Sequence, residues 1–90
     1  MIKVMYALKD TQVNAFMRPV FLSNDAECRR LMINTLTQDE MIKKFPDDFV
    51  MYCLGRFNEE TGLIDVLPDP QRMFSASEIL RILEVANEIN

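Results

Sequence analysis

A two-residue alternation of apolar and polar positions marks the first element. In residues 2–8, Ile2, Val4, Tyr6 and Leu8 share one face and Lys3, Met5 and Ala7 the other, which predicts a strand. A polar stretch from Lys9 to Asn14 follows. Residues 15–22 are apolar again, but Pro19 removes a ladder donor, so this segment reads as an edge strand or an extended loop. The period then lengthens. Ser23-Asn24-Asp25 is a helix-start signal, because a side-chain oxygen there can accept from the free N–H groups of a first turn. A helix over about 25–37 gathers Cys28, Leu31, Met32, Ile33 and Leu36 on one side. Glu27, Arg30 and Asn34 fall on the other, and Arg29 flanks the apolar arc.

Thr37 to Glu40 can cap a short second helix over 39–44, ended by Phe45-Pro46. Asp47-Asp48 makes a turn into the strongest strand, 49–57. Asn58 to Gly62 reads as a hairpin loop, residues 63–67 as the returning strand, and Pro68-Asp69-Pro70 as a break in the ladder. Ser75 with Glu78 offers a capping box for a last helix reaching about residue 89. The expected fold class is α+β: a small antiparallel or mixed sheet of about four strands, with two main helices packed on one face. Residues 1–90 are expected to form a single domain.

Composition then narrows the chemistry. The chain has no histidine, the commonest general base and transition-metal ligand, so Ser–His and Cys–His nucleophile pairs are excluded. Asp47/Asp48 and Glu59/Glu60 are carboxylate pairs on predicted turns, where adjacent side chains usually point apart into water. Neither Gly55 nor Gly62 lies in a phosphate-cradling loop. The expectation is a non-enzymatic protein with no cofactor and no metal. Cys28 and Cys53 lie among apolar neighbours and are expected to be free, reduced and mostly buried. The opening residues read as a strand rather than a secretion signal, and no apolar run is long enough for a membrane span. A soluble, cytosolic chain is expected. Met5, Met32, Met41 and Met51 read as core gap-fillers.

The formal charge of −4 argues against strong nonspecific binding of nucleic acid, although acidic clusters can mask a local basic face. The candidate cations are Arg18, Arg29, Arg30, Lys43, Lys44 and Arg56. Tyr6, Phe16, Phe21, Phe57 and Phe74 are spread through the strands. Single-strand binders combine a basic groove with stackable aromatics on a sheet. The plainer reading is solvated helix faces and core aromatics, and the pattern alone leaves both open.

One stretch is more specific than its parts. Met41-Ile42-Lys43-Lys44-Phe45-Pro46-Asp47-Asp48-Phe49 leads into Met51-Tyr52-Cys53-Leu54-Gly55-Arg56-Phe57-Asn58 and then Thr61-Gly62. Upstream stand Lys9-Asp10, Phe16, Pro19 and Asn24-Asp25-Ala26 before an arginine-bearing helix. Over about residues 1–67 this pattern resembles the small non-structural proteins of gokushoviruses, a branch of the Microviridae. The resemblance implies a phage protein in the cytoplasm of a bacterial host. It implies binding to single-stranded or replicating viral DNA, at the switch toward single-strand synthesis and packaging. The alternative is a protein–protein adaptor that modulates a replication or host factor without touching DNA; the charge favours the adaptor and the resemblance favours DNA.

Self-association is a further expectation. The last helix carries Ile79, Ile82, Ala86 and Ile89 at seam spacing, widened by Leu80, Leu83 and Val85. A two-fold homodimer with this surface meeting itself would cover the seam, Leu83 included.

Overall fold

The computed structural model describes residues 1–89, with side chains to residue 87. Strand β1, Ile2–Asp10, runs through the middle of the sheet. On one side it pairs with β4, Phe49–Asn58, which pairs in turn with the edge strand β5, Ile64–Ser75. On the other side it pairs with two short strands, β2 (Ala15–Phe16) and β3 (Val20–Leu22). Every pairing is antiparallel, which settles the arrangement the sequence left open. Pro19 lies in the gap between β2 and β3. A residue without an N–H thus divides the edge as expected.

Three helices supply the second layer: α1 (Asp25–Gln38), α2 (Glu40–Lys44) and α3 (Ala76–Ile89), with a 3-10 turn at Pro46–Asp48. Their starts follow from capping chemistry. The Asn24 side chain accepts from the Glu27 amide at 3.0 Å, and the Glu27 carboxylate accepts from the Ser23 amide at 2.7 Å. Asp39 accepts from the amides of Met41 and Ile42 and so starts α2 immediately after α1, itself the only residue between them. Ser75 accepts from the Glu78 amide at 3.1 Å. Only that half of the expected capping box forms, because the Glu78 carboxylate turns to the Arg72 guanidinium.

One continuous core fills the space between the layers. It takes Tyr6 and Leu8 from β1, Cys28, Met32 and Leu36 from α1, Ile42 from α2, Phe49 and Met51 from β4, Phe74 from β5, and Ala76 and Ile79 from α3. Tyr6 is fully buried, and its hydroxyl donates to the Asp25 carboxylate at the start of α1. Of the four methionines read as gap-fillers, Met5, Met32 and Met51 are buried and Met41 is exposed.

Two irregularities depart from the simple pattern. Met5 pairs with Gly55 and Tyr6 with Cys53, so Leu54 is an extra residue in β4. Gly55 has φ +154, and a Cβ built on it would stand 2.3 Å from the Asp65 carbonyl oxygen of β5. Glycine is therefore required by close backbone approach. The second irregularity lies in β5. The ladder breaks at Pro68-Asp69-Pro70 as expected, but it resumes with Gln71 against Cys53 and continues to Ser75. The sequence reading ended this strand at residue 67. An edge strand can bulge its prolines outward and rejoin its neighbour, since its outer N–H groups need no partner strand.

Both cysteines are free, Cys28 buried and Cys53 half-buried. Burial, aided by the nearby Asp25 carboxylate, pushes the Cys28 thiol up from its ordinary 9.0 to about 12. Burial first, and the hydrogen bond to Asp25 second, also push the Tyr6 phenol above its usual range.

Two predictions follow from these positions. Gly55→Ala should lower the urea midpoint, with strain on the order of 1–3 kcal/mol added to the clash with β5. An unchanged midpoint would show that the bulge tolerates a side chain. The second concerns alkali. Above pH 9.0 the unfolded chain loses a thiol proton that the folded chain retains to about pH 12. Unfolding is thereby favoured, and stability present below pH 9.0 declines as pH rises. Cys28→Ala should flatten that decline in urea titrations between pH 8 and 10, and an identical slope would contradict the assignment.

A candidate nucleic-acid interface on the open sheet face

The helices cover one face of the sheet and leave the other free. Register identifies what the free face carries, because antiparallel partners point the same way. From β1 it takes Lys3, Met5, Ala7 and Lys9. From β4 it takes their partners Phe57, Gly55, Tyr52 and Val50. Phe16 and Phe21 join from the broken edge, opposite Lys9 and Met5. Ile64, Val66 and Arg72 join from β5, opposite Phe57, Gly55 and Tyr52.

These side chains form two clusters. Phe16 and Tyr52 meet edge-to-face with centroids 5.4 Å apart, and the Lys9 ammonium lies 5.4 Å from the first ring and 5.9 Å from the second. Phe21 and Phe57 meet edge-to-face at 5.5 Å. Lys3, the strand partner of Phe57, donates to the Ser23 hydroxyl at 2.9 Å. The clusters face Lys3 and Ala7 on β1, four residues apart, or about 13 Å at a strand rise of ~3.3 Å. Met5 and Ala7 are buried between them and form the floor. Phe16 and Phe21 are 43% and 48% exposed, so their rings are reachable from solvent.

The charge on this face is of one sign. Lys3, Lys9 and Arg72 are its charged residues, and none of the positions that register places there is acidic. Glu78 reaches the margin through its ion pair with Arg72, which holds the Glu78 carboxyl below its usual range. Most of the fourteen carboxylates lie elsewhere: Asp25, Glu27, Asp39 and Glu40 on or capping the helices, Asp47 and Asp48 in the 3-10 turn, Glu59 and Glu60 at the hairpin tip, while Asp10 and Asp65 on the strands take the helix-side register and Asp69 lies in the unpaired stretch of β5.

The cations singled out from sequence lie apart from these aromatics. Arg29 and Arg30 are exposed on α1, and Lys43 and Lys44 on α2, where Lys44 lies over the Phe45 ring at 5.5 Å. Arg18 lines an apolar cavity of about 380 Å³ on the helix side, with Met17, Leu31, Met32 and Ile42. Arg56 pairs with Val4 and points to the helix side of the sheet, beyond the helices. Of the five aromatics named from sequence, Phe16, Phe21 and Phe57 are on the open face; Tyr6 and Phe74 are core. Lys3, Lys9, Tyr52 and Arg72 were not among the candidates. The two lysines were readable as the second face of β1, and Tyr52 as the face of β4 opposite to Met51 and Cys53.

The expected helix seam is divided. Ile79 is buried in the chain's own core and Leu83 packs half-buried against it, while Ile82 and Ala86 are exposed. The side chain of Ile89 lies outside the described residues. Among the described residues no cluster of metal-binding side chains occurs, and no helix is long and apolar enough to cross a membrane.

No curated protein and no solved structure matches the chain. The family model described as Phage ORF5 protein matches residues 3–79, which include all of the sheet but Ile2, α1, α2 and the start of α3, and the chain therefore belongs to the Phage ORF5 protein family.

Proposed function

We propose that this phage protein is a non-enzymatic binder of single-stranded DNA, and that the strand lies across the open sheet face. The observation that carries the reading is the pair of accessible aromatic clusters, each beside a lysine, on a helix-free surface whose own charges are all positive. Every base presents a π-face, so rings spaced along a sheet hold an unpaired strand without reading its sequence, while ammonium groups meet the phosphates. Duplex DNA hides its base faces and suits this surface poorly. The resemblance to gokushovirus non-structural proteins supports a place in the host cytoplasm, at the switch from duplex replication to single-strand synthesis and packaging. Viral or host replication proteins are the natural neighbours there.

The acidic total charge is compatible with this reading because affinity depends on local potential. It does limit strength. Two lysines neutralising two phosphates give a salt slope of only about −1.4, at ~0.7 per phosphate for single strands.

Fluorescence anisotropy with a labelled single-stranded oligonucleotide at two salt concentrations tests the proposal. Tyr52→Ala and Phe57→Ala should each weaken binding by about 1–3 kcal/mol, the range for one stacked base. Arg29→Ala with Arg30→Ala should weaken it far less, since both lie on the helical layer. Binding that survives loss of the rings in folded variants, but fails without Arg29 and Arg30, would move the site to the helices. No binding to any oligonucleotide would favour the adaptor reading.

A further inference from the structure

Strands β2 and β3, of two and three residues, are too short to close the sheet edge over the helical layer. Behind that edge lies the apolar cavity of about 380 Å³, walled by Met17, Arg18 and Val20 on the sheet side and by Leu31 and Thr35 of α1 on the other. Its floor is the core itself: Tyr6, Leu8, Met32, Ile42 and Met51 are buried and all reach it. Met17 and Arg18 are exposed and so mark its mouth. The volume lies in the range of small-molecule sites, ~300–1,000 Å³. Three of its walls are methionines, whose unbranched, polarizable side chains adapt to an apolar guest.

Four polar side chains line the cavity, and three are already engaged. The Tyr6 hydroxyl donates to Asp25, the Thr35 hydroxyl donates to the Leu31 carbonyl at 2.8 Å, and the Asp39 carboxylate accepts from the Met41 and Ile42 amides. Arg18 is the fourth, and among the described residues its guanidinium has no ion-pair partner. Its backbone is pinned on both sides. The Met17 amide donates to the Leu8 carbonyl at 2.8 Å, and Val20 pairs with Tyr6. Pro19 further restricts residue 18 to extended backbone. A positive charge of fixed position therefore stands at the mouth of an apolar well.

We propose that this cavity binds a free, single-chain fatty acid, with its alkyl chain against Met32, Met51 and Ile42 and its carboxylate on Arg18. Charge complementarity selects the class. The forked guanidinium donors match a carboxylate, whereas a neutral hydrocarbon would leave them unused and a cationic amphiphile would be repelled. A polar metabolite would find no free donor or acceptor below the mouth, because Tyr6, Thr35 and Asp39 are engaged. An apolar chain also supplies packing contacts that the side chains lining an open cavity lack, so the bound form is the more stable one. The cavity lies on the helix side of β1, opposite the aromatic face. The inference therefore stands without the single-strand reading.

Decanoate, kept below its micelle concentration, is the probe, and methionine-methyl NMR on the full chain locates it. The expected result is saturable binding that raises the thermal midpoint and shifts the methyl signals of Met17, Met32 and Met51. The signals of Met5, on the aromatic face, and of exposed Met41 should stay in place. No saturable binding overturns the proposal, and so does binding that moves Met5 or Met41 instead. Arg18 is exposed, so Arg18→Gln leaves the fold intact. It should weaken decanoate roughly ten-fold or more, the loss of one hydrogen-bonded charge pair. Methyl decanoate should bind the wild type and Arg18→Gln alike. Equal decanoate affinity in Arg18→Gln, or tighter binding of decyltrimethylammonium than of decanoate, would overturn the carboxylate–arginine contact. Val20→Trp fills the cavity and, where folded, should abolish binding; a folded variant that still binds places the ligand elsewhere and overturns the site. Vesicles of phosphatidylglycerol separate the sources: the chain should stay in the supernatant, and pelleting with them would make a bilayer the ligand and defeat the free acid.

Discussion

The extra residue at Leu54 sets what each face of this protein presents. Tyr52 and Phe57 are five positions apart, and in an unbroken strand an odd spacing sends side chains to opposite faces. The bulge reverses the phase, so Phe49, Met51 and Cys53 point to the helices while Tyr52 and Phe57 share the open face. A regular β4 would turn one of these rings away and leave one cluster without its partner. The reversal depends on Gly55, where β5 approaches too closely for any Cβ. One backbone constraint therefore fixes both the register of the β4–β5 hairpin and the second aromatic pair.

Charge is sorted between the layers by the same topology. Helix starts and turns consume carboxylates as caps: Asp39 bonds two amides of α2, Glu27 closes the start of α1, and Asp48 helps tie the 3-10 turn to Gln12. Helix N-termini favour negative charge for the same reason. Strands need no such caps, and β1 places both its lysines on its outer face. An acidic isoelectric point thus coexists with a face free of acidic positions. A sum over the chain describes the helical layer better than it describes the sheet.

Most helix starts, the hairpin turn and the division of the edge were legible because each rests on neighbours in sequence, whereas the run of β5 past its prolines to Ser75 was not. Pro19 split the edge, Asn24 and Asp39 started helices, and Gly62 closed the hairpin, all as local rules require. The site was only partly legible. Phe16, Phe21 and Phe57 could be named, but sequence could not show that Phe57 shares the face of Tyr52. That depends on the extra residue at Leu54, beside a Gly55 that β5 approaches closely, a contact between strands. The cations named from sequence lie apart from these aromatics for a related reason. Paired charges such as Arg29-Arg30 are conspicuous in a sequence, whereas Lys3 and Lys9 become one set only when the alternation of β1 is joined to its neighbours.

A domain of this size cannot cover both faces of its sheet. All three helices are used on one side, and the aromatics of the other side must shelter the floor formed by Met5 and Ala7 themselves. Phe16, Phe21, Tyr52 and Phe57 consequently do two things: they exclude water from the middle of β1 and they present rings to solvent. Edge-to-face contact suits both, since each pair covers the strand below it while leaving ring surface accessible. Lys9 extends the arrangement by lying close to two rings, where its charge is held against their faces. The uncovered face is the side of the core that this short chain closes with aromatic side chains instead of a fourth helix.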